Sequence, residues 1–257
     1  MRTALITLCD QGARVVRSLA AKLGGCQVYL HESVTEPMDA ERFPAVVKLT
    51  GKIFRQYPRL VYVAPCGVVV RAIAPLIRHK LSDPAVVVID VGGRYAVSLL
   101  SGHEGGANAL ALEAANAIGA EPVISTTTEA VKTLTVGVGC RRGAKAESIA
   151  GAILGALEKV GAGVADVRIL ASADLKADEA GLLLAAKDLG LSLRFLSADE
   201  ILSTTKQFGH SQWVADQVKL PAVAEPSALL AGRRTKLLLP KTIINGVTVA
   251  IARESSL

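Results

Sequence analysis

The sequence predicts an α/β protein of two domains, each a mostly parallel sheet flanked by helices, the second smaller and carrying an antiparallel edge hairpin. Three observations carry that reading. Short apolar runs rich in Val and Ile alternate with segments whose apolar residues recur at helical spacing, as repeated strand-loop-helix units require. A polar stretch, Thr126 to Lys132, interrupts the alternation and separates two self-contained sets of elements, which places the domains at 1–130 and 131–257. Asn245-Gly246 stands between Ile243-Ile244 and the run Val247 to Ile251, a strong short-range hairpin signal.

The elements follow in order. Thr3 to Leu8 reads as a buried strand, Asp10-Gln11-Gly12 as a turn, and Val15, Val16, Leu19, Ala20 and Leu23 as one face of a helix. A strand from Gln27 to Leu30, a helix near Phe43 to Tyr57 and a strand from Leu60 to Ala64 come next. After a Pro65-Cys66-Gly67 loop, Val68 to Ile77 is helical. Val86 to Asp90 and Tyr95 to Leu99 form a hairpin across Gly92-Gly93, followed by a helix from Ala109 to Ile118 and a short strand from Pro122 to Ser125. The second domain opens with a strand from Leu134 to Val138, a glycine-rich loop and a helix from about Ala144 to Val160. Val167 to Ala171 is a strand, Glu179 to Leu189 a helix stopped by Gly190, and Leu193 to Leu196 a strand. Ser197-Ala198-Asp199-Glu200 is a capping box opening a short helix.

Composition narrows the function. A chain of 257 residues, 51% of them hydrophobic, buries a core without disulfide staples. Only 4% are aromatic, so the core is aliphatic and the stacking platforms used on single-stranded nucleic acid are scarce. The net charge of +6 is spread along the chain, denser only at Arg141-Arg142 and Arg233-Arg234. That balance suits a small acidic ligand better than a duplex, although plain solubility explains it too. Cys9, Cys26, Cys66 and Cys140 have neither a CxxC pair nor zinc-like spacing, and read as free thiols of a reducing compartment. The apolar run Ala4 to Leu8 is too short for a secretory signal and no run approaches a membrane span. A cytoplasmic protein without membrane or nucleic-acid partners is expected.

Chemistry concentrates in Ser101-Gly102-His103-Glu104-Gly105-Gly106-Ala107-Asn108, a hydroxyl, an imidazole and an amide among three glycines between a strand and a helix. Open α/β sheets bind ligands at the carboxyl ends of their strands, and helix starts attract anions. The segment therefore reads as a site, or equally as a glycine-eased turn with His103 as a solvated cap. His103 is one of four histidines and a candidate general base. Ser101 lacks the flanking glycines of a nucleophile elbow. Asp90 is a possible second carboxylate or a turn former before Gly92-Gly93. Cys66 has the address of a reactive thiol at a helix start, or of a small buried hydrophobe. In the second domain Gly137-Val138-Gly139-Cys140-Arg141-Arg142-Gly143 fails the dinucleotide spacing because Arg stands at 142. Its arginines instead offer forked donors to carboxylates or phosphates, or are merely solvated.

A resemblance builds along the same segments. Ala64-Pro65-Cys66-Gly67-Val68-Val69-Val70-Arg71-Ala72-Ile73-Ala74-Pro75-Leu76, Asp83 to Asp90 and Ser101 to Asn108 resemble the amino-terminal region of the cobalamin-biosynthesis protein CbiG, the cobalt-precorrin-5A hydrolase family. Val136 to Gly143, Asp174 to Glu179, Val223 to Pro226 and Leu239 to Lys241 resemble its carboxyl-terminal domain, in the family's order. Two departures stand out: family members often carry a further stretch between these regions, and Glu104 replaces a more usual leucine. The resemblance implies an enzyme of anaerobic cobalamin biosynthesis. Such an enzyme adds water to a δ-lactone on a cobalt-bearing, ring-contracted tetrapyrrole, and releases the former bridging carbon with its methyl as acetaldehyde. Cobalt then arrives with the substrate, and no cofactor or protein-bound metal is expected. Within that frame His103, Ser101 and Asp90 are the candidate catalytic residues. Cys66, Gly67 and Arg71, with Gly102, Gly105, Gly106 and Asn108, are candidate substrate contacts in the first domain. Gly139, Cys140, Arg141, Arg142, Lys176 and Glu225 are those of the second. The partners implied are the cobalt-precorrin substrate and neighbouring enzymes of the pathway. Two other functions fit the sequence: a non-catalytic tetrapyrrole carrier or pathway partner, and an unrelated α/β protein binding a phosphate or sugar ligand.

Overall fold

The computed structural model describes residues 2–209 and 220–255 and divides into two compact units, residues 1–127 and 128–257. In the first unit β1 (Thr3–Thr7) leads through α1 (Asp10–Leu23) to β2 (Cys26–His31), a short β3 (Glu41–Phe43) and α2 (Val46–Ile53). Then β4 (Arg59–Val63), α3 (Cys66–Ile73) and a single 3-10 turn at Ala74–Leu76 precede β5 (Ala85–Ile89) and β6 (Tyr95–Leu100). The unit closes with α4 (Ala107–Ile118) and β7 (Glu121–Val123). A helical turn α5 (Thr127–Ala130) occupies the polar stretch at the division.

The seven strands lie in the order β3-β2-β1-β4-β5-β6-β7. The chain builds outward from β1 on one side and then restarts with β4 on the other, so a topological switch point falls between β1 and β4. All neighbours run parallel except β5 and β6. Side chains alternate between two cores, as period-two strands require. On one face Leu5, Val61, Val63, Val87 and Ile89 pack with Val16, Leu19, Leu110 and Ala114 of α1 and α4. On the other Ala4, Ile6, Leu60, Tyr62, Val86 and Val88 meet Ile53 of α2, Phe54 just after it, and Val69 and Ile73 of α3. Helix α1 lies close on the sheet because residue 12 is glycine: a Cβ there would stand 2.1 Å from Thr7 Oγ1 and 3.2 Å from the Val63 carbonyl.

The second unit has β8 (Leu134–Gly139), α6 (Ala146–Lys159), β9 (Val167–Ala173), α7 (Ala180–Asp188), β10 (Leu193–Leu196) and α8 (Ala198–Ser203). It continues with α9 (Ala224–Leu230), β11 (Thr235–Ile244) and β12 (Val247–Glu254). Its smaller sheet, ordered β10-β9-β8-β12-β11, is parallel on the β10-β9-β8 side and antiparallel beyond it. The Ser197–Glu200 capping box forms as the sequence indicates. The terminal hairpin turns at Asn245 (φ +50°) and Gly246 (φ +78°), the double left-handed turn that matches strand twist.

Several boundaries differ from the sequence reading. Asp10-Gln11-Gly12 is the first turn of α1, not a free turn, because Gly12 is needed for packing. Phe43 ends β3, a strand too short to show a period, and the helix after it covers only Val46–Ile53. Cys66 and Gly67 are the first residues of α3, with Pro65 before them.

Candidate functional site

The antiparallel step decides where the glycine-rich loop lies. Ile89 pairs with Ala96 and Val86 with Leu100, so β6 runs back along β5 and ends beside its beginning. The loop 101–106 therefore occupies the amino rim of the parallel strands. The carboxyl rim expected for it holds Asp90, Pro65 and Cys66 instead. Five residues of β5 at about 3.3 Å each put roughly 15 Å between the rims. Asp90 is thus not brought together with Ser101 and His103.

The loop is held shut by its own groups. Ser101 sits at φ +58° and is buried, and its hydroxyl donates to the Asp83 carbonyl at 3.1 Å. The Ser101 and Gly102 carbonyls accept from the amides of Ala107 (3.1 Å) and Asn108 (3.0 Å). A Cβ on Gly105 would be 2.3 Å from that of Ser101, and one on Gly102 would be 2.6 Å from Thr126 Cγ2, so neither position admits a side chain. Gly106, at φ +85°, turns the chain into α4. The Asn108 side chain accepts from the Ser98 hydroxyl (2.8 Å) and donates to Thr126 Oγ1 (2.9 Å). Ser101 and Asn108 thus serve the shape of the loop. His103 is exposed, and its imidazole has no hydrogen-bond partner among the described residues. Beside it Glu104 pairs with Lys80, whose hydrogen bond draws the Glu104 carboxyl below its usual range.

The segment carrying Lys80 packs against the loop and was not anticipated from sequence. Asp83, its side chain 1% exposed, accepts through Oδ2 from the amides of Arg78 (2.8 Å) and His79 (3.0 Å). Its Oδ1 lies 3.8 Å from an Arg55 guanidinium nitrogen and has no hydrogen-bond partner among the described residues.

At the carboxyl rim an open cleft of about 420 Å³ is lined by Gln11, Pro65, Asp90, Val91, Gly92 and Arg94, beside the switch point where open α/β sheets take ligands. Gln11, in the first turn of α1, and Arg94, immediately before β6, line this cleft without having stood out in the sequence. Cys66 is exposed at the start of α3, and Arg71 donates back to the Gly67 carbonyl at 3.1 Å. Asp90 accepts from the amides of Gly92 (3.2 Å), Arg94 (2.8 Å) and Tyr95 (2.9 Å) and from Arg94 Nε (3.0 Å). Burial pushes the Asp90 carboxyl up, but the Tyr95 and Arg94 hydrogen bonds outweigh it and hold the group below its ordinary value. Its lone pairs are spent on the β5–β6 turn.

In the second unit the structure does bring the predicted residues together. Gly139 ends β8 and Cys140, Arg141 and Arg142 follow it, while Lys176 follows its parallel neighbour β9 at the same rim. Burial raises the Cys140 thiol, with the Lys176 cation opposing and Glu179 adding to the rise. Glu179, at the start of α7 as the sequence places it, is buried, accepts from the Gly143 amide at 2.9 Å and so fixes the arginine loop. Arg142 pairs loosely with Asp178 at 3.6 Å, both well exposed. The Arg141 guanidinium has no acceptor among the described residues. Glu225 is buried in the first turn of α9, and its two oxygens accept the amides of Gly209 and Lys241, tying two segments together. Among the described residues no group of three or more His, Cys, Asp and Glu could hold a metal ion, and no helix is long and apolar enough to cross a membrane.

Comparison with known proteins bears on both units. Residues 48–129 match the family described as Cobalamin synthesis G N-terminal, and residues 134–252 that described as Cobalamin synthesis G C-terminus. The chain is 40% identical over 130 residues to the cobalt-precorrin-5A hydrolase of Salmonella typhimurium, covering 49% of this chain and 36% of that protein. It is 36% identical over 138 residues to the cobalt-precorrin-5A hydrolase of Priestia megaterium, covering 52% of this chain and 37% of that one. The matches thus span little more than a third of either hydrolase. Protein CobE of Sinorhizobium sp is 31% identical over 133 residues, 51% of this chain and 86% of that protein.

Proposed function

The chain belongs to the cobalamin synthesis G family, and from that membership we propose that it acts as a cobalt-precorrin-5A hydrolase. The observation that carries this reading is the presence of both family regions in one chain and in order, 48–129 and then 134–252. The reaction in view begins with attack of water on the lactone carbonyl carbon. The ring C–O bond breaks, leaving a carboxylate on one side and a hydroxyl on the bridging carbon. The hydroxyl then gives up its proton as the C–C bond to the macrocycle breaks, the bonding pair stays on the ring where a proton is taken up, and the carbon leaves with its methyl as acetaldehyde, giving cobalt-precorrin-5B. Cobalt is a part of the substrate throughout.

His103 is the residue assigned to the chemistry. Its imidazole is exposed on a closed, well-anchored loop, which supports assigning it the proton of the attacking water. Ser101 and Asn108 hold the loop, and Asp90 holds a turn at the other rim, so none of the three is assigned a bond-making role. Arg141, which has no acceptor among the described residues, and the nearby Arg142 and Lys176 suit the acetate and propionate arms of such a macrocycle, since guanidinium groups bind carboxylates through paired donors.

The test is anaerobic incubation of the purified chain with cobalt-precorrin-5A and trapping of acetaldehyde. Release of one equivalent per macrocycle supports the hydrolase. A second reading, a tetrapyrrole-binding carrier or pathway partner, draws on the match to Protein CobE, of which this chain covers 86%. Binding of the macrocycle with no acetaldehyde would decide for it.

A further inference from the structure

We propose that Asp83 is the positioning residue of the His103 loop: its buried carboxylate fixes the 77–84 segment, and that segment in turn holds the loop at two points. The inference rests on the reading of the loop as the reaction site. The first point is Ser101, whose hydroxyl donates to the Asp83 carbonyl at 3.1 Å. Ser101 is one of three non-glycine residues at positive φ in the described chain, a conformation that persists only where surrounding contacts enforce it. The second point is the Lys80–Glu104 ion pair, which fastens the segment to the residue next to His103.

Asp83 is more than a turn former. Capping the amides of Arg78 and His79 needs one acceptor oxygen, which a neutral side chain could supply at far less desolvation cost than a carboxylate 1% exposed. The second oxygen, Oδ1, makes no hydrogen bond among the described residues, and such buried atoms call for an explanation. Arg55, half-exposed and anchored on the Leu76 carbonyl at 3.0 Å, lies 3.8 Å from it. The charge draws in this guanidinium, so that the segment is clamped from α2's side as well as by its own amides.

The full chain carries the test. Asp83→Asn keeps the volume and one acceptor for the two amides but removes the charge that attracts Arg55. Arg55→Ala weakens the same clamp from the protein surface, where folding is not at stake. The readouts are kcat and KM for acetaldehyde release and the NMR signal of the His103 imidazole in the substrate-free protein. Asp83→Asn is expected to lower kcat roughly ten- to a hundredfold with KM within about threefold, the effect of displacing a catalytic group by up to an ångström. Arg55→Ala should act in the same direction and less strongly. The His103 signal should shift in both variants, while that of His31, held between Ser33 and the Pro44 carbonyl, stays in place. An unmoved His103 signal in both variants overturns the proposal, as does unchanged kcat in Asp83→Asn when His103→Ala is inactive. Full turnover by His103→Ala would instead refute the reaction-site reading, leaving the imidazole signal to decide whether Asp83 positions the loop.

Discussion

Asp90 shows what a single carboxylate does when its lone pairs are spent. It accepts three amides and one guanidinium N–H at the β5–β6 turn, and it titrates below its ordinary value. A carboxyl depressed in the folded state adds stability above its unfolded pKa of about 3.9 and loses that contribution as pH falls through the lower folded value. Asp90→Ala should therefore cost about 1–3 kcal/mol at pH 7 and much less at pH 2, as read by urea unfolding at both. The two arginines after β8 can be ranked in the same way. Arg141 has no acceptor among the described residues and Arg142 pairs with Asp178, so Arg141→Ala should raise KM for the macrocycle severalfold more than Arg142→Ala, with kcat nearly constant in steady-state assays. Sequence alone singled out His103 and the arginine loop because unusual residue types cluster there. Asp83, Glu179 and Glu225 fall within the segments that carry the resemblance, but the amides they hold were not legible, since backbone donors leave no mark in the sequence.

Among the elements, long apolar runs were readable and short or glycine-bearing ones were not. β1 and β5 are buried along their whole length, and their unbroken aliphatic and β-branched content marks them. β3, three residues in Glu41–Phe43, has too few positions to display a period. The start of α1 was mistaken for a turn because Gly12 reads locally as a breaker, while its actual cause is contact with Thr7 and Val63. Gly137 follows the same logic in the second sheet. A Cβ there would stand 1.9 Å from the Ala224 carbonyl oxygen, so Gly137→Ala must push α9 off β8. At Gly139 the nearest atom to a Cβ is 3.6 Å away. Thermal or urea unfolding should show a loss of about 3 kcal/mol for Gly137→Ala and under about 1 kcal/mol for Gly139→Ala.

Across the molecule, each unit carries its own cores on both faces of its own sheet, the second against α6 and α7 on one face and α9 on the other, as alternating strands and helices require. What the alternation did not announce is the bearing of the β5–β6 hairpin, although the hairpin itself was recognised. Turning β6 back sends the loop after it to the rim opposite the β1–β4 switch point. In energetic language, β5 is an insulator. Two groups of residues about 15 Å apart, sharing no hydrogen-bond partner, should have a coupling free energy near zero. A double-mutant cycle on stability with Asp90→Ala and Ser101→Ala should close to within about 0.5 kcal/mol, and a larger interaction would mean that the sheet transmits strain between its rims. With the cycle closed, the first unit becomes two independently tunable margins, so that substitutions lining the cleft can reshape it without disturbing the histidine on the far side.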